Sequence, residues 1–408
     1  MKVLYLGSFC TESFESILLS KSKYGIQYSI INFQRNFFLG LNENIKEKAD
    51  YINLLPIGCY PFYYKDVFIK NKKYSYNNSE IKELGFVNIP IIKQYILKHK
   101  AKQEIKKWIK KNRDENKLIV MYDLLYPYLY ALHNIKGKYP DTTTCTIIAD
   151  LPNQYGYNYT ETRIKAYLKY RQGKKKLEYL HSINYFALLT EQMRDVLNID
   201  KNRSVIIEGF STHSRKSVSC VNRLNSGKKV ILYCGALFKV YGIDILIEAF
   251  NLICDNRYEL WFCGSGDYVQ QIVKECDNNS RIRYWGYLGK DRVCQLQSEA
   301  AVLINPRQNI GEYTKYSFPS KIMEYLSSNC PVVAYKLDGI PDEYYQFIFT
   351  PLDNTSLELK NTLLKVCEMD YNDRLNICNL AREFIENNKN PIIQCKKIVD
   401  LLKENNVV

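Results

Sequence analysis

The stretch Ser317-Phe318-Pro319-Ser320-Lys321-Ile322-Met323-Glu324-Tyr325 decides how this chain is read. It follows an apolar run from Ala301 to Asn305, short and uninterrupted, as a strand buried on both faces would be. Pro319 suits the first turn of a helix, where its missing N–H is not needed, and Ser317 is placed to cap that turn. A second apolar run, from Pro331 to Tyr335, reads as the next strand, with Asn329 suited to a left-handed residue between helix and strand. Strand, helix and strand in this order form a βαβ unit and predict a parallel sheet.

The same alternation extends outward. A strand is expected from Lys229 to Cys234, turning at Gly235, and Ile243, Leu246, Ile247 and Phe250 then mark one helix face. Further strands are expected from Tyr258 to Cys263, before Gly264-Ser265-Gly266, and from Arg281 to Trp285. Upstream, comparable runs start at Lys2, Leu118, Thr144, Tyr185 and Ser204. A polar, aperiodic segment from Ser211 to Lys229 separates the two series. The fold class expected is therefore α/β, with two Rossmann-like domains over residues 1–212 and 213–389. Residues 390–408 add an amphipathic helix carrying Ile392, Ile393, Ile398, Leu401 and Leu402, with Pro391 in its first turn.

Bulk properties narrow the function classes. A length of 408 residues fits two or three domains. The net charge of +14, from 57 basic and 43 acidic residues, favours anionic partners. The 13 cysteines include no Cys-x-x-Cys pair, which leaves no zinc knuckle or dithiol motif and fits a reducing, cytoplasmic setting. No leader-like run opens the chain, and no 18 consecutive apolar residues occur. His99, His133, His181 and His213 lack metal-ligand spacing, so no metal is expected, and no other cofactor. No nucleic-acid motif accompanies the charge, so no nucleic-acid partner is expected.

Chemistry is expected beyond the carboxyl ends of the strands, where open parallel sheets bind ligands. A helix starting at Pro319 presents free N–H groups and a positive dipole end to an anion. Ser320 and Glu324, four residues apart, share one face. A phosphate at the helix start would put the Glu324 carboxylate one turn deeper, where it can accept hydrogen bonds from a ribose diol. Lys321 can offset diphosphate charge.

The sequences SFPSKIMEYLSSNCPVVAY (from Ser317), VILYCGALFKVYGIDILIEAF (from Val230) and LWFCGSGDY (from Leu260) resemble, in order and spacing, family-4 retaining glycosyltransferases of the GT-B fold. The likeness is strong from Lys229 to Glu343, weaker over residues 1–210, and greatest to members that build bacterial capsular and exopolysaccharides. It implies two Rossmann-like domains with a cleft between them and a last helix that returns to the first domain. It also implies transfer of a hexosyl group, with retention and without a metal, from a nucleotide-sugar, UDP-linked by expectation. The acceptor would be a lipid-linked or polysaccharide glycan. A non-catalytic or epimerase-type nucleotide-sugar-binding protein is the alternative. Two departures stand out. Many members carry a second glutamate where this chain has Tyr316, and an Arg and a Lys where it has Ala236 and Tyr241. Lys239, Arg307, Lys315 and Lys321 are the candidate replacements for the positive charge, and Glu312 for the carboxylate that meets the transferred sugar. Gly235 marks the turn where backbone approaches the donor. Each has a plainer reading: Lys239 and Arg307 as solvated charges, the glycines as tight turns.

In the first domain, Gly7 lets the backbone approach donor or acceptor, or simply turns the chain. Asp150 ends a strand where it can orient or deprotonate an acceptor hydroxyl, or cap the next turn. It corresponds to the strand end where many members carry an acceptor-side His or Asp. From Lys98 to Arg113 the chain carries eight Lys/Arg and one acid, Glu104, around an apolar stripe of Ala101, Ile105, Trp108 and Ile109. That pattern suits an anionic membrane surface, placing the protein peripherally on the inner face of the cell membrane, or a core-facing helix with a solvated basic back.

Overall fold

The computed structural model describes residues 1–152, 163–211 and 227–407. Most of the polar segment after Ser211, the boundary expected at residue 212 and His213 lie outside the described residues. The chain divides into a first unit, Met1–Phe210 with Pro391–Val408, and a second unit, Ser211–Asn390.

The first unit contains β1 (Lys2–Gly7), α1 (Glu12–Lys21), α2 (Tyr28–Asn44), β2 (Asp50–Asn53), β3 (Phe68–Ile69), β4 (Lys72–Tyr76), β5 (Ser79–Glu83), β6 (Phe86–Val87), α3 (Ile92–Lys111), β7 (Lys117–Tyr122), α4 (Tyr126–Ile135), β8 (Thr142–Ile148), α5 (Arg163–Tyr179), β9 (Tyr185–Leu188), α6 (Gln192–Leu197) and β10 (Ser204–Ile206). Its main sheet runs β10-β9-β8-β7-β1-β2-β5-β4. All neighbours are parallel except β4 on β5. That pair is a hairpin closed by Asn77 and Asn78 at φ 49° and 62°, the left-handed pair that a two-residue type I′ turn requires. The central strands β1 and β7 are buried almost end to end, as strands covered on both faces must be.

The second unit contains β11 (Lys229–Ala236), α7 (Ile243–Asn251), β12 (Tyr258–Ser265), α8 (Val269–Asn278), β13 (Ile282–Tyr284), α9 (Lys290–Glu299), β14 (Val302–Asn305), α10 (Ser320–Leu326), β15 (Val332–Ala334), β16 (Ile348–Phe349), α11 (Ser356–Cys367) and α12 (Tyr371–Asn388). The sheet is parallel throughout, in the order β13-β12-β11-β14-β15-β16. Alternate side chains feed two cores. Val230, Leu232 and Cys234 join Ile322, Met323 and Tyr325 of α10 and Ile385 of α12. Ile231 and Tyr233 join Ile243, Leu246 and Phe250 of α7 and Leu359 and Leu363 of α11. Phe250, wholly buried, contributes about 2 kcal/mol of transfer free energy to that second layer. Helix α13 (Pro391–Glu404) packs on α2 and β10 of the first unit. There Gly40 is obligatory, because a Cβ on it would lie 2.1 Å from the Pro391 carbonyl oxygen.

Three local expectations are corrected. Pro319 is the N-cap of α10, in an extended conformation, not a first-turn residue. Ser317 therefore does not cap the helix; its hydroxyl donates to the Tyr313 carbonyl instead. Asn329 is not left-handed, and its side-chain oxygen accepts from Arg382 at 2.7 Å.

Candidate active site

In each unit the strand order reverses at one place, and a crevice opens there at the carboxyl ends. In the second unit the reversal falls between β11 and β14, because the chain winds outward through β12 and β13 before crossing to β14. The loops beyond these two strands touch. Gly242, at φ 78°, would put a Cβ 2.1 Å from the Pro306 carbonyl oxygen, and Tyr313 donates to the Val240 carbonyl at 3.1 Å. Gly264, at φ 142°, lies so close beneath Gly235 that a Cβ would sit 1.8 Å from its carbonyl oxygen. At Gly235 a Cβ would first meet the Tyr233 hydroxyl oxygen, at 3.0 Å.

Arg307 follows β14 at this reversal and is 7% exposed. Its guanidinium lies 4.6 Å from the Tyr313 ring centroid and 5.7 Å from that of Tyr241. Two aromatic faces thus hold a cation where such contacts gain from exclusion of water. Nη2 donates to the Ser317 hydroxyl at 2.8 Å. Nε is buried without a partner, and no described carboxylate forms an ion pair with the group. A buried guanidinium lacking an acid is an anion receptor in waiting.

Helix α10 supplies the second cluster. Lys321 donates to Glu324 Oε2 at 3.0 Å, and Gln297 of α9 donates to Oε1 at 2.9 Å. Ser320 is exposed at the helix start. The next residue, Tyr325, is fully buried, and its hydroxyl both accepts from the Cys234 N–H and donates to the Cys234 carbonyl, each at 2.9 Å. It fixes α10 to the end of β11 one residue before Gly235. Beneath the cluster the Cys234 thiol hydrogen-bonds Cys263, which raises the Cys234 pKa and lowers that of Cys263. The remaining candidates lie on the rim. Lys239 is exposed, 3.7 Å from Asp244, and Glu312 is exposed, accepting from Lys315 at 3.4 Å.

In the first unit the reversal falls between β1 and β7. Gly7 is there for want of space: a Cβ would lie 2.5 Å from the Tyr51 hydroxyl and 3.0 Å from the Gln34 side-chain oxygen. The following N–H, of Ser8, donates to that same Gln34 oxygen at 2.7 Å. Across the reversal stands Asp123, a residue that no sequence pattern singled out. It holds a left-handed φ of 52°, and its oxygen Oδ1 is sealed from solvent without a partner. Burial pushes its carboxyl up to about 6, against an opposing pull from Lys176; the nearby Asp150 charge pushes the same way as burial. Asp150 is half-buried beyond β8, and its own N–H serves the Asp123 carboxylate. Strain and a perturbed carboxyl at a strand end are physical marks of a functional position. A left-handed aspartate after a buried strand was the only signal available, and backbone angles are not written in sequence.

Helix α3 turns its apolar stripe inward. Ala101, Ile105, Trp108 and Ile109 are buried, and the Trp108 ring N–H donates to Asp50 at 2.7 Å. Only the basic back of the helix remains for an anionic surface. Among the described residues no helix is long and apolar enough to cross a membrane.

Residues 228–368 match the family described as "Glycosyl transferases group 1". The whole chain superposes on solved structures of that architecture. The chain has the GT-B fold. Sucrose-phosphate synthase from Thermosynechococcus elongatus aligns with a TM-score of 0.64 at 14% identity, over 99% of both chains. The lipopolysaccharide outer core galactosyltransferase WaaB gives 0.61 at 12% identity, over 99% of this GT-B chain and all of WaaB. Anabaena HepE, solved with UDP and glucose, gives 0.59 at 13% identity over 99% of both chains. No curated protein matches the sequence.

Proposed function

We propose that this GT-B protein is a retaining hexosyltransferase that takes its sugar from a nucleotide-sugar, UDP-linked, and delivers it to a hydroxyl of a lipid-linked or polysaccharide acceptor in bacterial surface glycan synthesis. The donor belongs to the second unit and the acceptor to the first, as the domain roles over 213–389 and 1–212 have it. The observation that carries the reading is the cluster at the β11–β14 reversal, with Arg307 between two tyrosine rings and Lys321 beside Glu324. Arg307 and Lys321 are assigned to the diphosphate, whose charge grows as the glycosidic bond breaks, so that fixed cations favour the transition state over the ground state. Glu324 is assigned to a sugar or ribose diol, whose hydroxyls a carboxylate accepts from. Asp150, with Asp123 behind it, is assigned to the acceptor hydroxyl. Glu312, Lys239, Gly7 and Gly235 take the rim and turn positions. No metal or other cofactor enters the scheme, and the protein acts at the cytoplasmic face of the membrane.

The test is a thermal-shift series with UDP-, GDP- and CMP-sugars, followed by product analysis with and without acceptor. A ligand at a hundred times its Kd stabilises by about 2.7 kcal/mol, a shift of roughly 5–10 °C for a domain of this size. UDP-glucose or a related UDP-sugar should give it. Glu324→Ala should lower both the shift and turnover; unchanged values for that variant would sink the assignment. Interconversion of the sugar without acceptor would establish the epimerase alternative.

A further inference from the structure

We infer that Cys234 and Cys263 form a modification site in the second unit, a dithiol that a peroxide closes to an intrachain disulfide beneath the helix carrying Lys321 and Glu324, independent of the transfer reading above. The two residues are direct partners in the register of β11 on β12. Neighbouring strands lie about 4.8 Å apart, inside the span of about 4.4–6.8 Å between the Cα atoms of a disulfide. Side chains alternate along both strands, so partners in register share a face. Both thiols lie in one core with Ile322, Met323 and Tyr325 of α10, whereas Tyr233 and Phe262 belong to the opposite layer. Closure therefore asks for rotation of two side chains, not for movement of the sheet.

A third buried cysteine shows what sets this pair apart. Among the described residues three cysteines lie in strands, and Cys145 is the other one. Its register partners are Val120 and Tyr185, not a thiol. Burial alone pushes the Cys145 thiol up to about 12, which leaves it inert. Cys263 moves the other way, although it is also buried. The hydrogen bond from the Cys234 thiol lowers its pKa, and the Leu288 N–H and Lys321 pull the same way, against burial and the Glu324 charge. Cys263 is thus the nucleophile and Cys234 its resolving partner. The chain reaches solvent two residues on, at Ala236 and Ser265, within reach of an oxidant little larger than water.

The chemistry balances with one hydrogen peroxide. The Cys263 thiolate attacks a peroxide oxygen and the O–O bond breaks. The departing hydroxide takes up the proton that Cys263 released, and Cys263 becomes a sulfenic acid. The Cys234 sulfur then attacks the Cys263 sulfur, and the Cys234 proton leaves with the hydroxyl as a second water. Two thiols lose two electrons, the peroxide gains them, and the products are one disulfide and two waters. A dithiol reductant reverses the step.

The experiment treats the folded full chain with hydrogen peroxide, unfolds it, alkylates the remaining thiols and digests it with trypsin. Cleavage after Lys229, Lys239, Arg257 and Lys274 puts Cys234 and Cys263 on separate peptides, each with no other cysteine. Mass spectrometry should find these peptides linked, lighter by two hydrogens than their sum and more abundant than any other cysteine pairing. Dithiothreitol should separate them. Oxidation of the exposed Cys254 establishes that the peroxide has acted. Cys145→Ser should keep the link, and Cys263→Ser should leave Cys234 alkylated; the parent result stands alone should a variant not fold. Recovery of Cys234 and Cys263 unlinked overturns the proposal. So does a link found only between two copies of the chain, or pairing of either cysteine with others as often as with its neighbour.

Discussion

Replacing Asp123 by Asn should make the protein more stable and less active at once. The side chain keeps its shape, and Asn tolerates the left-handed φ of 52° as well as Asp does. The Leu124 and Asp150 N–H groups can still reach an oxygen, while the amide nitrogen takes the place of Oδ1, which already lacks a partner. What changes is the charge. Burial chiefly raises the folded-state pKa to about 6, from an ordinary value of 3.8. The folded protein therefore holds this proton more tightly than the unfolded chain. Its stability falls as pH rises from about 3.8 to about 6, and the loss is complete at neutral pH. The rise from 3.8 to about 6 is roughly a hundredfold in proton affinity and sets an upper bound of about 3 kcal/mol, reduced to the extent that water reaches this half-buried residue. Asn removes that cost. Urea unfolding at a series of pH values should show the variant gaining on the parent between pH 4 and pH 6 and staying ahead above it, while turnover falls. A stability difference that is flat across that window, or a variant less stable than the parent at pH 7, refutes the account of Asp123.

Other outcomes follow from the donor-side geometry. Arg307→Met should weaken UDP-sugar binding by tenfold or more in calorimetry, since a charge-assisted hydrogen bond contributes about 1.5–3 kcal/mol. Arg307→Lys should recover only part of it, because an ammonium lacks the planar fork that can meet two phosphate oxygens while lying over the Tyr241 and Tyr313 rings. Tyr325→Phe deletes both bonds to Cys234 and should cost about 1–3 kcal/mol in denaturant titration; a neutral result would mean the clamp carries no weight. Gly264→Ala meets both a φ of 142° and a 1.8 Å clash with the Gly235 carbonyl oxygen, so a loss above about 3 kcal/mol is expected in the melting curve.

The sequence announced the buried strands because a strand covered on both faces has no polar face to interrupt it. The runs starting at Lys2, Leu118 and Lys229 became β1, β7 and β11. The exposed edge was not legible in the same way. β4 and β5 read Lys-Lys-Tyr-Ser-Tyr and Ser-Glu-Ile-Lys-Glu, where charge masks the alternation, although the Asn77-Asn78 turn was there to be noticed. On the donor side, local spacing put Ser320 and Glu324 on one helix face; that Lys321 binds Glu324 at 3.0 Å is seen only in the structure. Spacing could not give the tyrosine pair around Arg307, because Tyr241 and Arg307 meet only once the sheet has brought two distant loops together. The Gln297 bond to Glu324 was hidden for the same reason.

The path of the chain also orders the events of its synthesis. The second unit is one uninterrupted stretch, Ser211–Asn390, and can complete its core as soon as it leaves the ribosome. The first unit cannot, although most of it emerges earlier. The face of α2 that receives α13, including the bare backbone at Gly40, stays uncovered until residues 391–408 arrive. The half of the protein made first is thus the half finished last. During that interval the backbone at Phe37, whose carbonyl accepts from Cys395, and at Gly40 lacks its covering helix, and a truncation before Pro391 would leave it so permanently.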